Sequence, residues 1–255
     1  MKKQKFIVDE NIIPELEALN SKNENLSNSN LSKVNLQNIN LVNCDIQNSD
    51  FSKANLENAS LYGANLKGCN LFKASLKNAN LNGSNLENCN LLGVNFENTK
   101  LRNVKWGENY KVVNEIEAET AYKNKDYKLA KEKYKEAEDI YRAIKISMQS
   151  QTLGEETGQF FIREMIAKRK QFDRFSSSRL GSKIIEITTG YGEKLGNIAF
   201  TILGIIIACM FLYGIEGVSY QGKTLGFFSD DFSLVSTLGN LFYFSVVVYS
   251  TVGFG

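Results

Sequence analysis

From Leu26 onward the chain places a large apolar residue at every fifth position: 26, 31, 36, 41, 46, 51, 56, 61, 66, 71, 76, 81, 86, 91, 96, 101 and 106, a run of 17 without a failure. With 43% apolar residues overall, such a run arises by chance on the order of once in a million, so the period belongs to the fold. Two residues before all but the first of these positions stands something small or β-branched, as at Cys44, Ala54, Ala59, Ala64, Cys69, Ala74, Ala79, Cys89 and Val94. The residue between the two is commonly Asn. A period of five suits neither a helix nor a strand, because repeats of 3.6 and 2 both rotate the leucines off one side. It suits a coil that turns a corner every five residues.

This pattern resembles the pentapeptide-repeat family. The resemblance implies a right-handed quadrilateral β-helix over residues 21–107, four pentapeptides to a coil, with the central Leu or Phe and the small residue two before it pointing inward. Seventeen repeats then make about four coils, a column about 20 Å long at ordinary strand spacing. Trp106 is expected to close one end, and a cap over residues 1–20, with Pro14, Leu16 and Leu19 in a short helix, to cover the other. Cys44, Cys69 and Cys89 take inward sites as small hydrophobes, Cys69 and Cys89 one coil apart. Many pentapeptide proteins are acidic mimics of DNA. Here the outward positions mix Asp45, Asp50, Glu57, Glu87 and Glu97 with Lys33, Lys53, Lys67, Lys73, Lys77, Lys100 and Arg102, and a mimic needs a field of one sign.

Composition removes several further classes. A formal charge of +2 from 30 basic and 28 acidic residues gives no global reason to expect a nucleic-acid partner. Histidine is absent, which takes away the commonest general base, the usual zinc ligand and any Ser-His or Cys-His pair. The cysteines at 44, 69, 89 and 209 form no close pair of metal or redox type. No enzymatic activity, cofactor or metal site is therefore expected. At the N-terminus Phe6-Ile7-Val8 is interrupted by Asp9 and Glu10, too short a run for a signal peptide.

Residues 108–183 change character. Ala118, Ala121, Tyr127, Ala130, Tyr134 and Ala137 resemble the small and aromatic positions of a tetratricopeptide-like helical hairpin turning near Asn124 to Asp126, with Arg142 where that family's closing proline would fall. A second, weaker copy is expected through Ile144 to Met165, turning at Leu153-Gly154. Two hairpins are fewer than a free-standing array needs, so they are expected to pack on the coil or on neighbouring subunits; a plain helical linker is the alternative. Arg163, Lys168, Arg169, Lys170, Arg174, Arg179 and Lys183 then face only Glu164 and Asp173. A basic segment beside a spanning helix is held on the cytoplasmic side and attracts anionic headgroups.

Residues 184–255 read as a partial membrane domain. Thr189-Gly190-Tyr191-Gly192-Glu193 is expected to be an interfacial helix end and turn. Residues 195–217 make a spanning helix, because Ile198 to Ile215 carries no charge and about 20 residues cross a hydrocarbon core of about 30 Å. Ser219 to Ser233 is expected to be an exposed polar turret, and residues 235–249 a short re-entrant helix. The chain closes on Thr251-Val252-Gly253-Phe254-Gly255, which resembles the potassium-channel selectivity filter TVGYG.

That resemblance implies backbone carbonyls lining a K⁺ path on a fourfold axis, with Gly253 and Gly255 supplying backbone freedom, the Thr251 hydroxyl as a further ligand, and Val252 and Phe254 packing outward. The re-entrant helix would turn its carbonyl end toward the ion. Phe254 lacks the hydroxyl of the commoner Tyr. An inner pore-lining helix normally follows the filter, so the chain is read as truncated after Gly255. The expectation is a K⁺-selective channel subunit in a cell membrane, one of four identical chains, with its N-terminal domains in the cytoplasm and a protein partner there. The alternative is a membrane-tethered pentapeptide-repeat scaffold without conductance.

Overall fold

The computed structural model describes residues 12–151, 154–220, 222–229 and 233–252. Two compact units divide the chain, Met1–Ser182 and Lys183–Gly255.

In the first unit the five-residue period becomes a four-cornered coil. Parallel bridges join each corner to the one 20 residues on, from Asn30↔Asp50 and Asn35↔Asn55 through to Asn85↔Lys105. Twenty residues per coil is four pentapeptides. Leu31, Leu36, Phe51, Leu71 and Leu81 are fully buried, as are the alanines at 64 and 79. The corners have a second requirement, at the residue two after each central apolar position. Its φ is positive at Asn28, Lys33, Asn38, Asn43, Asn48, Lys53, Asn58, Lys73, Asn78, Asn88, Asn98 and Asn103, and also at Gly63, Gly68, Gly83 and Gly93. Left-handed backbone costs an ordinary L-residue roughly 1 kcal/mol, and Gly and Asn visit it most readily.

The Asn before each central residue closes the corner. Its Oδ1 accepts the N–H two residues on, as from Glu57 to Asn55 at 3.1 Å, Glu87 to Asn85 at 3.0 Å and Glu97 to Asn95 at 2.9 Å. Side-chain amides also ladder between coils: Asn90 Nδ2 donates to Asn70 Oδ1 at 3.1 Å, and Asn70 Nδ2 to Asp50 Oδ1 at 3.0 Å. Outward charges of opposite sign stack the same way, Lys67 on Glu87 at 2.8 Å and Lys77 on Glu97 at 2.9 Å.

Cys44, Cys69 and Cys89 are buried free thiols. Cys69 Sγ donates to the Ile46 carbonyl at 3.1 Å and Cys89 Sγ to that of Leu66 at 3.0 Å, each on the preceding coil. Burial pushes the Cys44 and Cys69 thiols up to about 12, and raises that of Cys89 as well. A thiol raised on folding adds stability that is complete below its ordinary value of 9.0 and is lost as the pH rises toward about 12. In the folded protein at pH 8, a thiol-counting reagent is therefore expected to miss these three and to find them once denaturant is added. Their rapid reaction under native conditions would mean that the coil opens readily.

Both ends of the coil are closed by helices, because its last rungs would otherwise leave backbone groups unpaired. Helix α1, Ile12–Ser21, buries Ile12 and Leu16. It offers Glu17 Oε1 to the Asn40 N–H at 2.7 Å, while Asn20 Nδ2 donates to the Val42 carbonyl at 3.2 Å. At the other end stand α2 (Val113–Lys123), α3 (Tyr127–Gln149) and α4 (Gly154–Lys170). Asp126 caps α3 by accepting the Leu129 N–H at 3.0 Å. The buried residues at 130, 134, 137, 141, 144 and 148 of α3 alternate steps of four and three, which keeps them on one face.

Where α3 ends, Ser147 Oγ donates to the Phe96 carbonyl at 2.8 Å and Gln151 Nε2 to that of Thr99 at 2.6 Å, while Gln151 Oε1 takes the Leu101 N–H at 3.0 Å. Trp106 meets Phe160 of α4 edge-on at 5.0 Å, and coil and helices share one hydrophobic core. Both expected hairpins are found, the first turning near Asn124 to Asp126 and the second between the end of α3 at Gln149 and the start of α4 at Gly154. They are not separate: α3 runs unbroken for 23 residues and serves both α2 and α4.

The second unit contains the end of α5 (Ser177–Thr189), a turn with positive φ at Gly190, Tyr191 and Gly192, α6 (Leu195–Glu216), a two-stranded hairpin of β1 (Val218–Tyr220) and β2 (Lys223–Leu225), and α7 (Leu234–Val252). The Thr189 to Glu193 motif is thus a helix end and turn. The stretch read as an exposed turret is a hairpin folded back on α6: Leu225 is buried and the Phe227 N–H donates to the Gly214 carbonyl at 2.7 Å. Gly214 makes this approach possible, since a Cβ there would lie 2.3 Å from the Phe227 ring.

Candidate functional site

Helix α6 is 22 residues long, with a mean hydropathy of 2.5 over its apolar window. It is the one helix among the described residues long and apolar enough to cross a membrane. Its only charged residue is Glu216, at the C-terminal end, where Gly217 breaks the helix at φ +78°. Leu195 and Phe200 are 80% and 77% exposed, and Phe211, Leu212 and Ile215 are exposed as well. Helix α7 packs on it through Phe244, whose ring meets Tyr213 edge-on at 5.1 Å. Thr237, Leu241 and Ser245, at steps of four, are the buried residues of α7, and the Ser245 hydroxyl returns to the Leu241 carbonyl at 2.8 Å.

The anticipated filter is only partly in view. The helix expected over 235–249 runs from Leu234 through Val252, so Thr251 and Val252 belong to its last turn and not to an extended strand. A filter backbone stays extended where neighbouring subunits and ions take up its polar groups. A single chain satisfies them by continuing the helix. Gly253, Phe254 and Gly255 lie outside the described residues.

A second constellation lies in the first unit, where the sequence suggested only a juxtamembrane charge run. Tyr122, Tyr127, Ala130, Lys131 and Tyr134 of the α2–α3 hairpin face Lys170, Gln171, Phe172, Asp173, Arg174 and Arg179 across a cavity of about 350 Å³. Tyr122 and Tyr127 meet edge to face at 5.3 Å. Arg179 is held by donating from Nη1 to the Phe172 carbonyl at 3.0 Å. Burial, then the neighbouring Arg179 and Arg169, hold Lys170 below the usual ammonium range.

The basic run is thereby divided. Arg163 turns inward, donating from Nη1 to Glu115 Oε1 at 3.3 Å and from Nε to the Asn109 carbonyl at 2.9 Å, and Arg169 is buried. Lys170, Arg174 and Arg179 instead line the cavity. Sequence reading assigned Tyr127 and Tyr134 to helix packing and these cations to a membrane surface. No local signal places the two groups across one cavity.

Comparison with known proteins bears on the coil. The pentapeptide-repeat profile matches in eight copies, over residues 22–48, 39–78 and 69–105. Among solved structures, HetL from the cyanobacterium Nostoc sp. strain PCC 7120, a pentapeptide-repeat protein involved in heterocyst differentiation regulation, is 23% identical over 32% of this chain and 38% of its own, with a TM-score of 0.32. A pentapeptide-repeat protein from Cyanothece 51142 is 40% identical over 35% of this chain and 60% of its own, TM-score 0.28. Another from Nostoc PCC 7120 is 27% identical over 44% of this chain and 93% of its own, TM-score 0.35. The chain thus spans less than two thirds of the first two. No curated protein matches it. The profile falls on the same residues whose corners repeat every five and whose bridges repeat every 20, and on both grounds residues 22–105 of the chain are a run of pentapeptide repeats.

Proposed function

We propose that the chain is a subunit of a potassium-selective channel that conducts K⁺ as a homotetramer, with the pentapeptide coil and its helical cap in the cytoplasm as an interaction domain. The observation that carries this reading is the exposure of α6. Most of its large apolar side chains are exposed among the described residues, and lipid is the surrounding that matches a charge-free stretch of this length, about 30 Å at 1.5 Å per residue. After it come a short hairpin, a second apolar helix packed on the first, and the filter-like Thr251-Val252-Gly253-Phe254-Gly255. The permeant ion is the only ligand this part of the reading requires.

A second reading, a membrane-tethered scaffold without conductance, is favoured by one feature, the helical state of Thr251 and Val252. Ion flux separates the two. The chain, and a form continued past Gly255 by a pore-lining helix of about 20 apolar residues, are placed in liposomes and their K⁺ and Na⁺ fluxes compared. The continued form is expected to pass K⁺ far better than Na⁺ and to lose that preference in Gly253→Ala, because a methyl group opposes the backbone angle that aims the carbonyl. A tetrameric continued form that passes neither ion would leave the scaffold.

A further inference from the structure

The cavity between the α2–α3 hairpin and residues 170–179 departs from the rest of its unit in how it treats charge. Elsewhere in the helical cap the partly buried cations are matched: Lys111 to Glu119 at 2.7 Å, Lys133 to Glu117 and Glu136 at 3.0 Å, Lys145 to Glu164 at 2.6 Å and Arg163 to Glu115 at 3.3 Å. Around the cavity Lys131, Lys170, Arg174 and Arg179 converge, and among the described residues no ion pair joins any of them to a carboxylate. Asp173 is the one acid among the described lining residues. Glu119, a carboxylate outside the lining whose charge reaches Lys170, is already held by Lys111. Tyr134 lines the same space at 3% exposure, and its hydroxyl has no hydrogen-bond partner among the described residues. A half-buried ammonium beside two guanidinium groups is costly, and the Tyr134 hydroxyl beside it is free to donate to a ligand. Such arrangements persist where a ligand completes them.

We propose that this cavity binds an organic phosphate, its phosphate held by Lys170, Arg179 and the Tyr134 hydroxyl and its ring laid against Tyr122 and Tyr127. A phosphomonoester carries a charge of about −1.5 to −2 and three strong acceptor oxygens, which suits several cationic donors better than the two oxygens of a carboxylate. The aromatic wall supplies what inorganic phosphate cannot use, a surface for a flat or puckered ring. A volume of about 350 Å³ lies within the range of small-ligand sites. The same chemistry is offered by a soluble nucleotide and by a phosphorylated lipid headgroup. The proposal does not depend on the membrane unit conducting ions.

The test is isothermal titration of the full chain in detergent with AMP, inositol trisphosphate and inorganic phosphate. Saturable binding of AMP or inositol trisphosphate, at least 10-fold tighter than inorganic phosphate, is expected. Lys170→Met and Arg179→Met should each weaken it about 10-fold or more, the loss of one charge-assisted contact. Without ligand, Lys170→Met should melt at or above the parent temperature, since it removes an unpaired, half-buried charge; a merely structural lysine would lower it. Lys131→Ala, at an exposed position, should weaken binding without touching the fold. With both bindings weakened in Tyr127→Ala, tighter binding of AMP identifies a nucleotide as the source, and tighter binding of inositol trisphosphate identifies a headgroup. No saturable binding of either compound, or affinities unchanged in Lys170→Met and Arg179→Met, would overturn the site.

Discussion

Leu71→Arg is expected to unfold the pentapeptide coil. Leu71 is fully buried, and Phe51 and Leu91 occupy the corresponding corners of the coils on either side, 20 residues away. A guanidinium placed in that column has no carboxylate to meet and no exit to water, and an uncompensated buried charge costs about 3–5 kcal/mol. That is a large fraction of the stability of an ordinary domain, about 5–15 kcal/mol. Because the coil and helices α2–α4 share one core, the loss should reach the helices too. Thermal melting by circular dichroism, with the reactivity of Cys69 and Cys89 as a local report, reads the effect. The control is Lys53→Asn. Lys53 points outward with φ +59°, in one column with Lys33 and Lys73, so Asn relieves both the left-handed strain and the stacking of like charge. It should raise stability by a few tenths to about 1 kcal/mol. Equal melting of the two variants would sink the coil as the seat of stability.

Glu115→Ala is expected to be the most damaging change in the helical cap. Glu115 is 1% exposed; the Tyr141 hydroxyl donates to its Oε2, and Arg163 Nη1 reaches its Oε1 at 3.3 Å. Tyr141 in turn accepts the Val112 N–H at 3.1 Å, at the start of α2. Burial, with the Glu115 carboxylate beside it, pushes the Tyr141 hydroxyl above the usual phenol range, so it remains a donor at every ordinary pH. Removing the carboxylate leaves the Arg163 charge uncompensated and the buried Tyr141 hydroxyl without its acceptor, a cost of about 3–5 kcal/mol. Tyr141→Phe leaves the Arg163 contact in place and should cost about 1–3 kcal/mol. Urea unfolding of the parent and the two variants gives the order. A midpoint for Glu115→Ala at or above that of Tyr141→Phe would mean that the three residues do not act as one tie.

Legibility followed the range of the interactions. The coil could be read because each corner is made by five consecutive residues, so apolar period, small residue and corner Asn all sit in one short window. One local rule was present and not used: the residue at 28, 38, 43, 48, 58 and 78 is Asn, and at 63, 68, 83 and 93 it is Gly. Positive φ at these positions explains the choice. Helix α1, the turn before α3 and the apolar stretch of α6 were legible for the same reason. That the two hairpins share α3 was not legible, because small and aromatic spacing alone does not say whether one helix serves two neighbours.

The sequence by itself determined that this chain winds in steps of five, buries one residue from each corner, and later produces a charge-free helix about 30 Å long. These are properties of periods and composition within about 20 residues. The tertiary structure decided what becomes of groups that such windows leave open. It set Ser147 and Gln151 against the Phe96 and Thr99 carbonyls, brought Phe160 to Trp106, and buried Arg163 on Glu115. It also brought Lys170, Arg179 and Tyr134 to the lining of one cavity. Partners about 40 to 55 residues apart leave no periodic trace in a chain, because their pairing is set by which surfaces remain once the local elements have formed.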